Sequence, residues 1–229
     1  MAEKIMVIVA HPDDAEFGCS GTIARKVGEE GAHVVYVICT NGDKGTPDPS
    51  LTPERLTQIR HGEQWCAAGV LGVRDVIFLD YPDGGLEDTA EFREDLVRLI
   101  RQHRPDTVYT MDPYRRYQMH RDHRVVGRVA LDAVFPYARD PLHHASLLQK
   151  EGLEPHKVKD VFLFSTDAAD HFVDISETFE TKIKALGCHE SQMRSIAEWR
   201  ETVTSWATET GQKAGLALAE GFKYLPIRQ

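Results

Sequence analysis

Four cysteines, none of them in a C-x-x-C pair, leave this 229-residue chain without the spacing of a structural zinc site or a disulfide framework. Cys19, Cys39, Cys66 and Cys188 read as reduced thiols, and Cys39, inside an apolar stretch, as a small hydrophobe. Basic charge is scarce too: 27 Lys and Arg face 36 Asp and Glu, a net charge of -9. That balance excludes the basic stripe of a nucleic-acid-binding surface and is compatible with a small, neutral sugar. No apolar run approaches the roughly 20 residues of a membrane span. The first strand follows Met-Ala-Glu-Lys, which leaves no room for a signal peptide. The first turn lacks G-x-G-x-x-G, against a dinucleotide enzyme. The expectation is a cytoplasmic protein with a small-molecule substrate and neither nucleic-acid nor membrane partners.

What is present is an alternation. Residues 4–10 read as a strand buried on both faces, since Ile5 to Ala10 are apolar without a break. A helix is expected over 18–30, with Gly31 as its stop, then a second strand over 33–40. A polar loop of Gly, Asp and Pro spans 41–49; Thr52 then caps a helix with Pro53 at its first position, running to about Gly69. Strand 76–80, helix 91–103, strand 107–111 and helix 120–135 complete four strand–helix units. This order predicts an α/β fold, an open, mostly parallel sheet covered by helices. Beyond 137 the rhythm loosens: residues 138–157 read as a lid or lobe loop, 161–165 and 172–175 as strands, 177–186 as a helix, and 193–220 as a helical region. A single domain over 1–229 is expected.

The chemistry concentrates in His11-Pro12-Asp13-Asp14-Ala15-Glu16, directly after the first strand. Three carboxylates and an imidazole in six residues carry a charge that a bound cation would compensate. With strand order 3-2-1-4 the order reverses between strands 1 and 4, where ligands bind at the carboxyl ends. His120-Arg121-Asp122-His123 follows strand 4, so the two clusters face each other. In His11-x-x-Asp14 a tight turn restricted by Pro12 aims imidazole and carboxylate at one point. In His120-x-x-His123 the pair shares a helix face. Two histidines, a carboxylate and a position left for water describe a catalytic zinc site, and ferrous iron uses a similar set. Alone, the first cluster reads equally as a helix cap and the second as a solvated helix face; their joint placement favours the metal. His33, His61, His103, His156 and His189 receive no role, and His143 and His144 read as loop residues.

Ala10-His11-Pro12-Asp13-Asp14-x-Glu16, followed by Gly18 and Gly21-Thr22, resembles the signature of the LmbE-like (PIG-L) N-acetylglucosaminyl deacetylases. His120-x-Asp122-His123-Arg124, Arg60-x-x-Glu63, Leu71-Gly72-Val73 and Tyr81-Pro82-Asp83-Gly84 are similar to further elements of that family. The resemblance implies a Rossmann-like three-layer αβα sandwich and a zinc-dependent hydrolase that deacetylates an N-acetylglucosamine-type substrate. It implies His11, Asp14 and His123 as ligands and Asp13 as the base that activates water. It implies His120 as the group that stabilises the oxyanion or protonates the amine, with Asp122 as its orienting partner. Spacing alone does not tell Asp13 from Asp14. An Asp122 carboxylate near His120 would favour its imidazolium. Arg60 and Asp83 are candidates for sugar hydroxyl contacts, or equally for a structural ion pair or turn. Some members carry a tyrosine two residues before the first histidine of the second motif; here Gln118 stands there, with Tyr117 and Tyr114 upstream. The resemblance further implies a homo-oligomer, trimer or hexamer.

Two other readings keep part of this. An amidase acting on a sugar-thiol conjugate would use the same site. A non-catalytic sugar- or nucleotide-binding module would use only the scaffold, and its mark would be a broken catalytic set, whereas this set is intact.

Overall fold

The computed structural model describes residues 2–227, so the expected domain limits at 1 and 229 lie outside the described residues. Strand β1 (Lys4–Val9) buries every side chain from Ile5 to Val9 to 1% exposure or less, as its unbroken apolar run requires. Two short helices follow, α1 (Asp14–Gly18) and α2 (Ser20–Gly28), then β2 (His33–Thr40). Thr52 Oγ1 accepts from the Arg55 N–H at 3.2 Å to start α3 (Pro53–Leu71), and Gly72 at φ 73° ends it. Next come β3 (Asp75–Tyr81), α4 (Ala90–His103), β4 (Thr107–Met111) and α5 (Arg121–Asp132).

The sheet order is β3-β2-β1-β4, continued by β5 (Asp160–Phe164), with all five strands parallel. The reversal between β1 and β4 is therefore where the sequence places it, and it sets the ends of those two strands side by side. Helices cover both faces, and the core runs through the sheet from Ile5 and Val37 to Val108 and Leu163. Gly127 lets α5 lie close on β4, since a Cβ there would stand 2.4 Å from the Met111 carbonyl oxygen. That close approach fixes how far the start of α5 reaches over the sheet.

Three expectations fail. The region 193–220 is not one helix: α8 (Trp199–Gln212) stops, Gly215 turns at φ 71°, and β7 (Ala219–Pro226) returns antiparallel to β5. β7 also pairs with β6 (His171–Asp174), so the sheet gains a strand between β5 and β6. The signal was Phe222 and Tyr224, two residues apart and both packed on Phe162. Residues 138–157 are not all loop: they hold α6 (Ala145–Glu151), and Arg101 of α4 pins the segment by donating to the carbonyls of Tyr137, Ala138, Asp140 and His143. Cys66 and Cys188 are not reduced thiols but a disulfide, with Cα atoms 5.8 Å apart. It links α3 to the residue after α7 (Phe179–Gly187), which lies 122 positions away, a pairing no local spacing announces. Cys19 and Cys39 are free and buried. Among the described residues no helix is long and apolar enough to cross a membrane.

Candidate functional site

His11 leaves the end of β1 in a turn that its neighbours close. The Asp14 carboxylate accepts from the His11 backbone N–H at 2.8 Å and begins α1. Between them Asp13 takes φ 91°, a left-handed conformation that costs a non-glycine residue about 1–3 kcal/mol and needs support from its surroundings. His120 is the N-cap of α5, and His123 lies in that helix's first turn.

The two ring nitrogens of His11 face different partners. On the Nδ1 side, His123 Nε2 lies at 3.2 Å and Asp14 Oδ2 at 3.3 Å, while Asp14 Oδ1 and His123 Nε2 are 3.2 Å apart. A tetrahedral zinc with ligands at 2.0–2.1 Å has donor–donor edges of about 3.3–3.4 Å. The two imidazole nitrogens stand close to that spacing, and the Asp14 carboxylate closes the triangle with Oδ2 toward His11 and Oδ1 toward His123. On the Nε2 side, Asp83 Oδ1 and Asp122 Oδ2 each lie 3.1 Å away. Asp122 is also held by the N–H groups of Gly84, at 2.7 Å, and Leu86, at 3.2 Å. Asp83 accepts from the Lys44 N–H at 3.2 Å. His11, His120 and His123 present nitrogens within 4.8 Å of one another, as do His11, Asp83, His120 and Asp122 with one donor atom each.

The charge balance suits a cation. Burial disfavours an imidazolium at His11, yet hydrogen bonds to Asp122, Asp14 and Asp83 outweigh it and push the pKa up to about 12. The same field that favours a proton there attracts a metal ion. Asp14 stays well below the usual carboxylate range: burial works against its charge, and His123 and His11 more than offset that. Asp13 is pushed up to about 6 by burial, while the nearby Arg60 guanidinium acts in the opposite direction.

Three expected contacts are placed differently. The hydrogen bond of Asp122 goes to His11 Nε2 and not to His120, with the carboxylate held by the Gly84 and Leu86 amides. His120 is not favoured as an imidazolium. Burial and then the charges of His11 and His123 lower its pKa, against the opposing pull of Asp122. Its exposed ring stacks on His123 at 4.5 Å and meets His11 edge-on at 4.6 Å. Arg60 and Asp83 both have partners within the protein. Arg60 is buried and donates to the Pro12 carbonyl at 2.7 Å, the Gly42 carbonyl at 3.2 Å and Asp13 Oδ2 at 3.2 Å. Asp83 is committed to His11.

Sequence reasoning left Glu16 without a derived role and missed Gln64 and His189. Gln64 Oε1 accepts from the Asp13 N–H at 3.1 Å, and Gln64 Nε2 donates to Glu16 Oε1 at 2.9 Å. His189 Nε2 lies 3.2 Å from Glu16 Oε2. All three are fully buried, so His189 is no surface residue.

Relatives with named activities share this arrangement's frame. A diacetylchitobiose deacetylase of Thermococcus kodakarensis is 34% identical over 226 residues, covering 98% of this chain and 84% of its own. A probable N-acetyl-alpha-D-glucosaminyl L-malate deacetylase of Bacillus cereus is 29% identical over 205 residues, 86% of this chain and 87% of its own. Among solved structures, the N,N'-diacetylchitobiose deacetylase of Pyrococcus horikoshii superposes with a TM-score of 0.92 at 34% identity, covering 98% of this chain and 84% of that one. The family model for PIG-L, GlcNAc-PI de-N-acetylase, matches residues 6–134, and the chain belongs to that family.

Proposed function

We propose that the chain is a zinc-dependent N-deacetylase acting on N-acetylglucosamine-type small molecules. The observation that carries this reading is the triangle of His11 Nδ1, Asp14 and His123 Nε2, with 3.2–3.3 Å edges, set beside Asp13 at the reversal of the sheet. The named relatives, which act on acetylated glucosaminides, support the choice of bond. His11, Asp14 and His123 would hold the ion, and two imidazoles with one carboxylate leave a position open as catalytic zinc requires. Ferrous iron suits the same donors.

When bound, the cation supplies Lewis acidity at the amide carbonyl and lowers the pKa of water to about 7. Asp13 takes the proton of the attacking water and returns it to the departing amine. Its elevated pKa keeps it basic enough for the first step and acidic enough for the second. Arg60, through Asp13 Oδ2, fixes the direction of that carboxylate. His120 is uncharged near neutrality, so its ring N–H donates to the amide oxygen as negative charge develops there. Asp83 and Asp122 accept from His11 Nε2–H, which would leave Nδ1 as the nitrogen that could hold the ion.

Acetate release across N-acetylglucosamine, N,N'-diacetylchitobiose and sugar-thiol conjugates tests the reading. The expected result is the highest kcat/KM on the acetylated glucosaminides. Faster cleavage of the thiol conjugates would favour the amidase instead. No hydrolysis and no stoichiometric metal would favour a binding module.

A further inference from the structure

We propose that His189, through Glu16 and Gln64, is a positioning residue for Asp13, a role that rests on the reading of Asp13 as the base. Asp13 pays for its left-handed backbone with contacts, and the one made by its N–H is to Gln64 Oε1 at 3.1 Å. The Gln64 amide has only one workable orientation. Its oxygen must meet the Asp13 donor, and its nitrogen must meet Glu16 Oε1, an acceptor, at 2.9 Å. Glu16 in turn faces His189 Nε2 with its other oxygen at 3.2 Å, so that nitrogen carries a hydrogen. The chain His189–Glu16–Gln64–Asp13 thus has a defined donor and acceptor at every link.

Burying an ionisable pair for stability alone is a poor use of core volume, because an apolar pair of similar size does as well. Glu16 and His189 are fully buried, and His189 Nδ1 has no hydrogen-bond partner among the described residues. The geometry accounts for their retention by where the chain ends, at the Asp13 amide. The elements that carry it are also locked together. Lys182 of α7 donates to the carbonyls of Glu16 and Phe17, at 2.9 and 2.7 Å, and to Glu220 of β7 at 2.7 Å. The Cys66–Cys188 disulfide joins α3, two residues beyond Gln64, to the residue before His189. The chain of contacts thus begins at His189, outside residues 6–134, the stretch that matches the family model, and reaches Asp13 through Glu16 and Gln64 inside it.

The test compares His189→Leu, which removes the donor, with His189→Gln, which keeps an N–H at the same reach. His189→Leu is expected to lower kcat by about 10–100-fold, the scale of a misplacement near 1 Å, with KM changed by less than about twofold. Its metal content per chain should match the parent, and the Asp13 amide should lose protection from hydrogen exchange. His189→Gln should restore both kcat and protection. A His189→Leu protein with parental kcat and parental Asp13 protection overturns the proposal. So does a loss that His189→Gln does not rescue, which would mark a purely structural role. The exchange measurement needs no turnover, so it reports on the link from His189 to the Asp13 amide separately: lost protection in His189→Leu with a parent protein that releases no acetate would sink the deacetylase reading, and parental protection in an active parent would sink the link.

Discussion

Asp122 Oδ2 stands 3.1 Å from His11 Nε2, on the side of the ring opposite the 3.2 Å approach of His123. A carboxylate behind a ligand imidazole fixes its tautomer and raises its basicity, and loss of such a partner costs about 10–100-fold in metal affinity. Asp122→Ala should therefore weaken zinc by that factor in a chelator competition. Unchanged affinity with lower turnover would return Asp122 to His120.

Removing the ion should abolish turnover. Dialysis against a chelator is expected to stop acetate release, and adding zinc should restore it. Asp14→Ala and His123→Ala should each retain less than one ion per chain, because each deletes a corner of the triangle. Full stoichiometric binding by both variants would place the ion elsewhere.

Asp13→Asn separates binding from chemistry. The variant keeps the ligand set but has no proton acceptor, so kcat should fall by about 10²–10⁴-fold, the usual worth of a general base. Metal content, measured on the same sample, should be unchanged. Parental turnover would remove Asp13 from the role of base.

The buried His189 also predicts a pH dependence of stability. Burial opposes its charge, but the Glu16 hydrogen bond, with the charges of Glu16, Asp13 and Glu63, outweighs this and raises its pKa. A group whose pKa is higher folded than unfolded stabilises fully below the unfolded value, about 6.5 for histidine, and loses that contribution as pH rises through the folded value. The Tm advantage of the parent over His189→Gln should therefore be largest below pH 6.5 and shrink as the pH rises through the folded value. An advantage that grows with pH would contradict the shift.

The first half of the fold was legible because strand and helix there are written in local pattern. Ile5 to Ala10 and Val34 to Cys39 are apolar runs, Thr52-Pro53 is a start signal, and short connections leave one topology. The return of β7 was not, because Gly215 and two aromatics are a weak mark at the end of a helical stretch. At the site, the residue types and their two clusters were readable from spacing and strand order. Their hydrogen-bond partners were not. Arg60 looks like a substrate-binding cation in sequence and becomes a brace for Asp13 only when α3 packs over the Pro12 turn. Glu16 and His189 are 173 positions apart, and only the packing of α7 against α1 brings them together.

On the proposed reading, His11, Asp14 and His123 hold a cation that this chain uses to hydrolyse an acetamide. Acetate released from N,N'-diacetylchitobiose by metal-stripped protein, as zinc is titrated back, tests it most directly. No release is expected without metal, and the rate should rise to a plateau at one zinc per chain. Equal rates with and without metal, or no release at any zinc occupancy, would contradict it.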